Sequence, residues 1–112
     1  KKIIELVKSC GAKKVFFASA SPPIRFQNIY GIDMPSTSEL IAYNRSIKEI
    51  KKYIKADELI YQDLKDLKLS ATIGNPKITK FEDSVFTGTY HVGNISKDFL
   101  KNLEKTRSDL SK

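Results

Sequence analysis

The side chains best able to do chemistry in this sequence are few and far apart. Cys10 and His91 are the single cysteine and single histidine, 81 positions from one another. A nucleophile–base pair built from them would need the fold to bring them together. Cys10 stands beside Gly11, where a helix is expected to stop, and reads as a small buried filler. His91 reads as a surface or packing histidine. Asp57-Glu58 precedes an apolar run, and Asp63 follows it. Strand C-termini are where open α/β sheets hold ligands, which gives Asp63 a functional reading. Its plainer reading is the cap of the next helix. Asp33, in Gly31-Ile32-Asp33-Met34-Pro35, precedes the hydroxyl run Ser36-Thr37-Ser38. Free N–H groups at such a helix start attract phosphate, although a loop cap also accounts for the aspartate. The sequence holds no Gly-x-Gly-x-x-Gly, no phosphate loop ending in Gly-Lys-Ser/Thr, no Cys-x-x-Cys and no His-Glu-x-x-His.

The elements that would position these groups follow from periodicity. Ile3, Ile4 and Val7 form a helical stripe that Gly11 closes. That helix has no N-terminal cap in the sequence, and its first residue is Lys, which together suggest a truncated chain. Residues 14–20 are a continuous apolar run, the pattern of a strand buried on both faces of a parallel sheet. Pro22-Pro23 ends it, because proline has no N–H to give a ladder. A long irregular connection over 24–35 follows, and segments of that length are usually functional or packed. Ser36/Glu39 and Ser46/Glu49 are capping boxes. The first predicts a helix burying Leu40 and Ile41, the second a helix burying Ile47, Ile50 and Ile54. Leu59-Ile60-Tyr61 is a second short strand, and Leu64, Leu67 and Leu69 mark another helix. Gly74-Asn75-Pro76 is a turn. Residues 78–93 leave room for a short extended piece. A last helix over about 96–110 carries Phe99, Leu100, Leu103 and Leu110.

Two buried-type strands alternating with helices make half of an α/β sheet, since such sheets usually have five or six strands. The 112 residues therefore read as one unit, the C-terminal half of a larger α/β domain. No apolar stretch approaches the roughly 20 residues of a membrane span, and no signal peptide is expected from the opening Lys1-Lys2 and the mixed polar helix after it. One cysteine cannot form an internal disulfide, which suits a reducing, cytoplasmic setting. The net charge of +7 comes from 20 basic and 13 acidic residues, but only Arg25, Arg45 and Arg107 are arginines. The lysines interleave with acids, as solvated helix faces do. A small basic module binding nucleic acid or another protein is the alternative class. It lacks the clustered arginines and interleaved aromatics such binders use.

Several longer motifs carry a family resemblance. Residues 11–20, Gly-Ala-Lys-Lys-Val-Phe-Phe-Ala-Ser-Ala, then Pro23-Ile24-Arg25-Phe26 and residues 28–36, Asn-Ile-Tyr-Gly-Ile-Asp-Met-Pro-Ser, closely resemble glutamine amidophosphoribosyltransferases. The likeness continues through Glu39-Leu40-Ile41-Ala42, residues 56–64 and residues 81–88, in collinear order over nearly the whole chain. The resemblance implies the C-terminal part of a Rossmann-like type I phosphoribosyltransferase domain, a parallel sheet with flanking helices. In this family a glutaminase domain releases ammonia, which travels an internal channel and displaces pyrophosphate from 5-phosphoribosyl-1-pyrophosphate (PRPP) with Mg²⁺ present. The product is phosphoribosylamine, at the first committed step of purine synthesis.

The resemblance further implies that Asp33, Met34 and Pro35 lie at the nucleotide and PRPP end of the site, where purine nucleotides inhibit. It implies that Leu40 lines the ammonia channel. The catalytic cysteine, the acidic PRPP loop and the Mg²⁺ ligands fall outside this sequence, so no catalytic or metal-ligating residue is assigned and the piece alone is expected not to turn over. Some members hold an iron–sulfur cluster on cysteines near positions matching Asn28, Glu82 and Val85. None is cysteine here, so a cluster-free member is expected. A homo-oligomer acting on PRPP and glutamine, without nucleic acid or membrane partners, completes the expectation.

Overall fold

A computed structural model describes residues 1–93 and 95–110, with the side chains of the last two of these excluded; Leu110 as a core residue thus lies outside the described side chains. The order is α1 (Lys2–Ser9), β1 (Phe16–Ser19), a 3₁₀ turn (Thr37–Glu39), α2 (Ile47–Ile54), β2 (Glu58–Tyr61), α3 (Leu64–Thr72), α4 (Ser84–Thr87) and α5 (Lys97–Leu110). β1 and β2 pair in parallel, with Phe16 opposite Glu58 and Ser19 opposite Tyr61. The class is α/β, a two-stranded parallel sheet flanked by helices.

The strand pair is tied at its entry by a reciprocal lock. Val15 N–H donates to the Asp57 carboxylate at 2.8 Å, and Asp57 N–H donates to the Val15 carbonyl at 2.9 Å. Hydrogen bonds from Val15 and Lys8 hold the Asp57 carboxyl below the usual aspartate range. α2 begins at its expected capping box: Glu49 accepts from the Ser46 N–H and hydroxyl at 2.7 Å each. Its Ile50 and Ile54 join Ile4, Ala42, Ala56 and Leu59 in one apolar core, with Val15 and Tyr61 against it.

Several expectations need correction, among them Ile47, expected to be buried in α2 but 44% exposed. The strand over 14–20 is not buried on both faces, since Phe16 is 67% exposed and Ile60 55%. Side chains alternate along a strand, and only the Leu59 side has helices packed on it. In α1 only Ile4 is buried, while Ile3 and Val7 face solvent. The helix expected after Ser36 is a single 3₁₀ turn, and the residue it delivers to the core is Ala42 rather than Leu40 or Ile41. Residues 78–93 form no strand among the described residues; the short α4 stands there instead. Cys10, expected as a buried filler, is exposed.

The exposure on the sheet, on α1 and at Cys10 goes with an open shape. The molecule measures 51 × 42 × 20 Å with a radius of gyration of 16.8 Å, against roughly 13 Å for a compact domain of this length. Its surface is 8462 Å², about a third above the roughly 6,200 Å² expected for its mass. Much apolar surface is left open on the sheet and on α1.

Candidate functional site

Parallel strands share a C-terminal edge, and both β1 and β2 end at the same side of the molecule. Gln62 N–H donates to the Ser19 carbonyl there at 3.0 Å. From this edge the long loop of residues 20–36 departs, and Asp63 opens α3. The Asp63 carboxylate accepts from the backbone of Lys65 at 2.8 Å and of Asp66 at 3.2 Å. It is the helix cap, and the functional reading gains nothing from it.

The loop is fixed one residue at a time. Arg25 reaches back to the Ala42 and Arg45 carbonyls at 2.7 and 2.8 Å, while its N–H and that of Phe26 donate to the Val85 carbonyl. The positions of Asn28, Glu82 and Val85, marked by the resemblance, are thus on two segments joined directly. Asn28 is 2% exposed, and its side-chain oxygen accepts from the backbone of Tyr30 at 2.9 Å and of Ile32 at 3.2 Å. That is an Asx-type turn, and Gly31 supplies the left-handed residue inside it at φ 92°. Asp33 and Pro35 then emerge exposed, with Met34 half-buried. Asp33 forms no hydrogen bond within the described residues, so it is not the loop cap that the sequence allowed. Asn28 fills that role.

At Ser36 the expected capping box forms, with Glu39 accepting from the Ser36 N–H at 3.0 Å and its hydroxyl at 2.5 Å. The N–H groups of Thr37 and Ser38, which the sequence offered to phosphate, are already taken. They donate to the Glu104 carboxylate of α5 at 2.7 and 3.2 Å. Burial pushes the Glu104 carboxyl up, but these hydrogen bonds outweigh it and leave it below the usual glutamate range. Leu40, half-buried, closes the 3₁₀ turn between Thr37 and Tyr43. Thr37 and Tyr43, with Phe26 and Tyr90, line a cleft of about 340 Å³ against α5.

A second, wider cleft of about 680 Å³ lies between Tyr30, Phe81 and His91. His91 is exposed, as expected. Its Nε2 is 3.3 Å from Asp83, which also pairs with Lys68 of α3, and its N–H donates to the Tyr30 hydroxyl. Asp83 is buried, and the Lys68 hydrogen bond is the main reason its carboxyl lies below the ordinary range. Sequence reasoning passed over Gln27, Asn28, Asp83, Glu104 and Arg107. The available signal was Gln27-Asn28, a polar pair inside the otherwise apolar stretch from Phe26 to Ile32. All three arginine side chains donate to backbone carbonyls of the chain itself. Among the described residues no three His, Cys, Asp or Glu side chains cluster as a metal site requires.

The fold and the loop at its C-terminal edge define the class: a piece of a parallel α/β domain, an architecture in which ligands bind beyond the strand ends. No family model matches the chain. Curated amidophosphoribosyltransferases match it from end to end. The protein of Haemophilus influenzae is 51% identical over 98% of this chain, that of Escherichia coli 50% over 98%, and that of Saccharomyces cerevisiae 45% over 99%. Over nearly its whole length the chain is similar to these enzymes, and it spans about a fifth of their length.

Proposed function

We propose that this chain is the C-terminal part of the phosphoribosyltransferase domain of an enzyme making 5-phosphoribosylamine, glutamate and pyrophosphate from PRPP, glutamine and water. The supporting observation is a likeness of 45–51% over 98–99% of the chain. In this reading Asp33, Met34 and Pro35 border the nucleotide and PRPP end of the site. The exposure of Asp33 and Pro35 suits a segment that meets a ligand. Leu40 stands on the ammonia path, where an apolar wall retains neutral NH₃. In this reading Mg²⁺ accompanies PRPP, with its ligands outside this segment. The whole protein is read as a cytoplasmic homo-oligomer inhibited by purine nucleotides. No helix among the described residues is long and apolar enough to cross a membrane.

No observation favours the alternative of a nucleic-acid-binding module. Its natural phosphate forks, the three arginines, are engaged within the chain.

The test is PRPP-dependent release of glutamate from glutamine by the full-length protein, with pyrophosphate formed in equal amount. Glutamate release indifferent to PRPP, or no pyrophosphate, contradicts the reading. The same preparation should contain no acid-labile sulfide, since Cys10 is the one thiolate this segment supplies and clusters need several. Stoichiometric iron and sulfide would contradict the cluster-free reading.

A further inference from the structure

We propose that Glu104 and Arg107 are positioning residues: α5 clamps the loop at two points and so sets the shape of the Asp33–Pro35 arch between them. The inference rests on the reading of that arch as the nucleotide and PRPP end of the site.

Glu104 and Arg107 are three residues apart on α5, so they share one helix face. Glu104 takes the Thr37 and Ser38 N–H groups on the far side of the arch. Arg107 donates to the Asn28 carbonyl at 2.9 Å and to the Ile32 carbonyl at 3.4 Å, on the near side. Gln27, 6% exposed, links the two: its amide nitrogen donates to Glu104 at 2.5 Å, and its oxygen accepts from Arg107 at 3.5 Å. Between these anchors Asp33, Met34 and Pro35 make no hydrogen bond with the described residues. The arch is therefore held by its feet. Every loop group the clamp grips beyond Gln27 is backbone, so what α5 reads is the loop's conformation and not its side chains. Displacement of α5 releases both feet at once, a direct route from helix position to arch geometry.

The experiment uses the full-length protein with Glu104→Gln, Arg107→Gln and, as a control on the same helix, Lys101→Ala. Amide hydrogen exchange is followed by peptide, alongside the inhibition constant for AMP and GMP and kcat. Both clamp variants should speed exchange over residues 28–38 about tenfold or more, leaving residues 16–19 and 58–61 as in the parent. They should weaken inhibition more than they lower kcat, with partial recovery in Arg107→Lys, and Lys101→Ala should change neither. Unchanged loop exchange in both variants overturns the clamp, as does an equal rise across the strands, which makes α5 a general support of the fold. Faster loop exchange with unaltered inhibition upholds the clamp and removes the nucleotide reading of the arch, so the two ideas fail separately.

Discussion

The two halves of this molecule are held together by different forces. Around β1, α2 and β2 the buried residues are apolar: Ile4, Ala42, Ile50, Ile54, Ala56 and Leu59. In the loops and α4 the buried residues noted for polarity are Gln27, Asn28, Ser36, Asp83 and Ser84, and none leaves a buried side-chain polar atom unpartnered among the described residues. The first region gains from removing apolar surface from water, an undirected effect that tolerates small shifts. The second depends on hydrogen bonds of fixed length and angle, where a missing partner strands a buried polar group. A scaffold can be built the first way. A loop that holds Asp33 and Pro35 exposed in one arrangement is built the second way.

The contrast can be broken most forcefully in the apolar half. Ile50→Ala, at 1% exposure, should cost about 2–5 kcal/mol in denaturant unfolding, whereas Ile47→Ala on the same helix, at 44%, should cost less than about 1. Equal losses would mean that α2 does not face the core as described. Next comes Gly88, the left-handed C-cap of α4 at φ 75°, where an added Cβ would sit 2.9 Å from the Phe26 ring. Gly88→Ala should lose about 1–3 kcal/mol from conformation and collision together. A neutral result would detach α4 from the Phe26 loop.

Asp83→Asn sharpens the polar side and carries a pH signature. The Asp83 carboxyl is held below its ordinary value near 3.8, chiefly by Lys68. It therefore stabilises the folded state above that value, and the contribution disappears as pH falls through the lowered folded value. The variant should lose about 1–2 kcal/mol at neutral pH, and its deficit should begin to shrink only as pH falls below the ordinary value near 3.8, vanishing past the lowered folded value. Parallel curves across the range would show that the Asp83 charge is not what matters.

Sequence legibility follows the same division. The βαβ half was readable because apolar periodicity, two prolines and the Ser46/Glu49 box each act locally. Its misreadings at Phe16 and Cys10 came from assuming that an apolar run or a cysteine must be covered, and coverage is a property of the assembled sheet. The loop half was half-legible. Asp63 as a cap and the Ser36/Glu39 box could be read because their partners lie within three residues. The anchors from Glu104 to Thr37 and from Arg107 to Asn28 span 67 and 79 positions, and no local pattern encodes them. For the same reason the hydroxyl run at 36–38 suggested a phosphate site when a distant glutamate already occupied its donors.

Pro35→Trp in the full-length enzyme tests the central claim, that the arch meets a purine nucleotide while the chemistry lies elsewhere. Pro35 is exposed and engaged in no hydrogen bond with the described residues, so its replacement removes no anchor of the loop. Proline fixes φ there and supplies no proton or charge to the reaction. The account predicts a raised inhibition constant for AMP and GMP, by about tenfold or more, with kcat within about twofold of the parent, each tenfold step being about 1.4 kcal/mol of lost binding. Unchanged inhibition with a collapsed kcat would contradict it and assign the arch to the chemistry or to the fold.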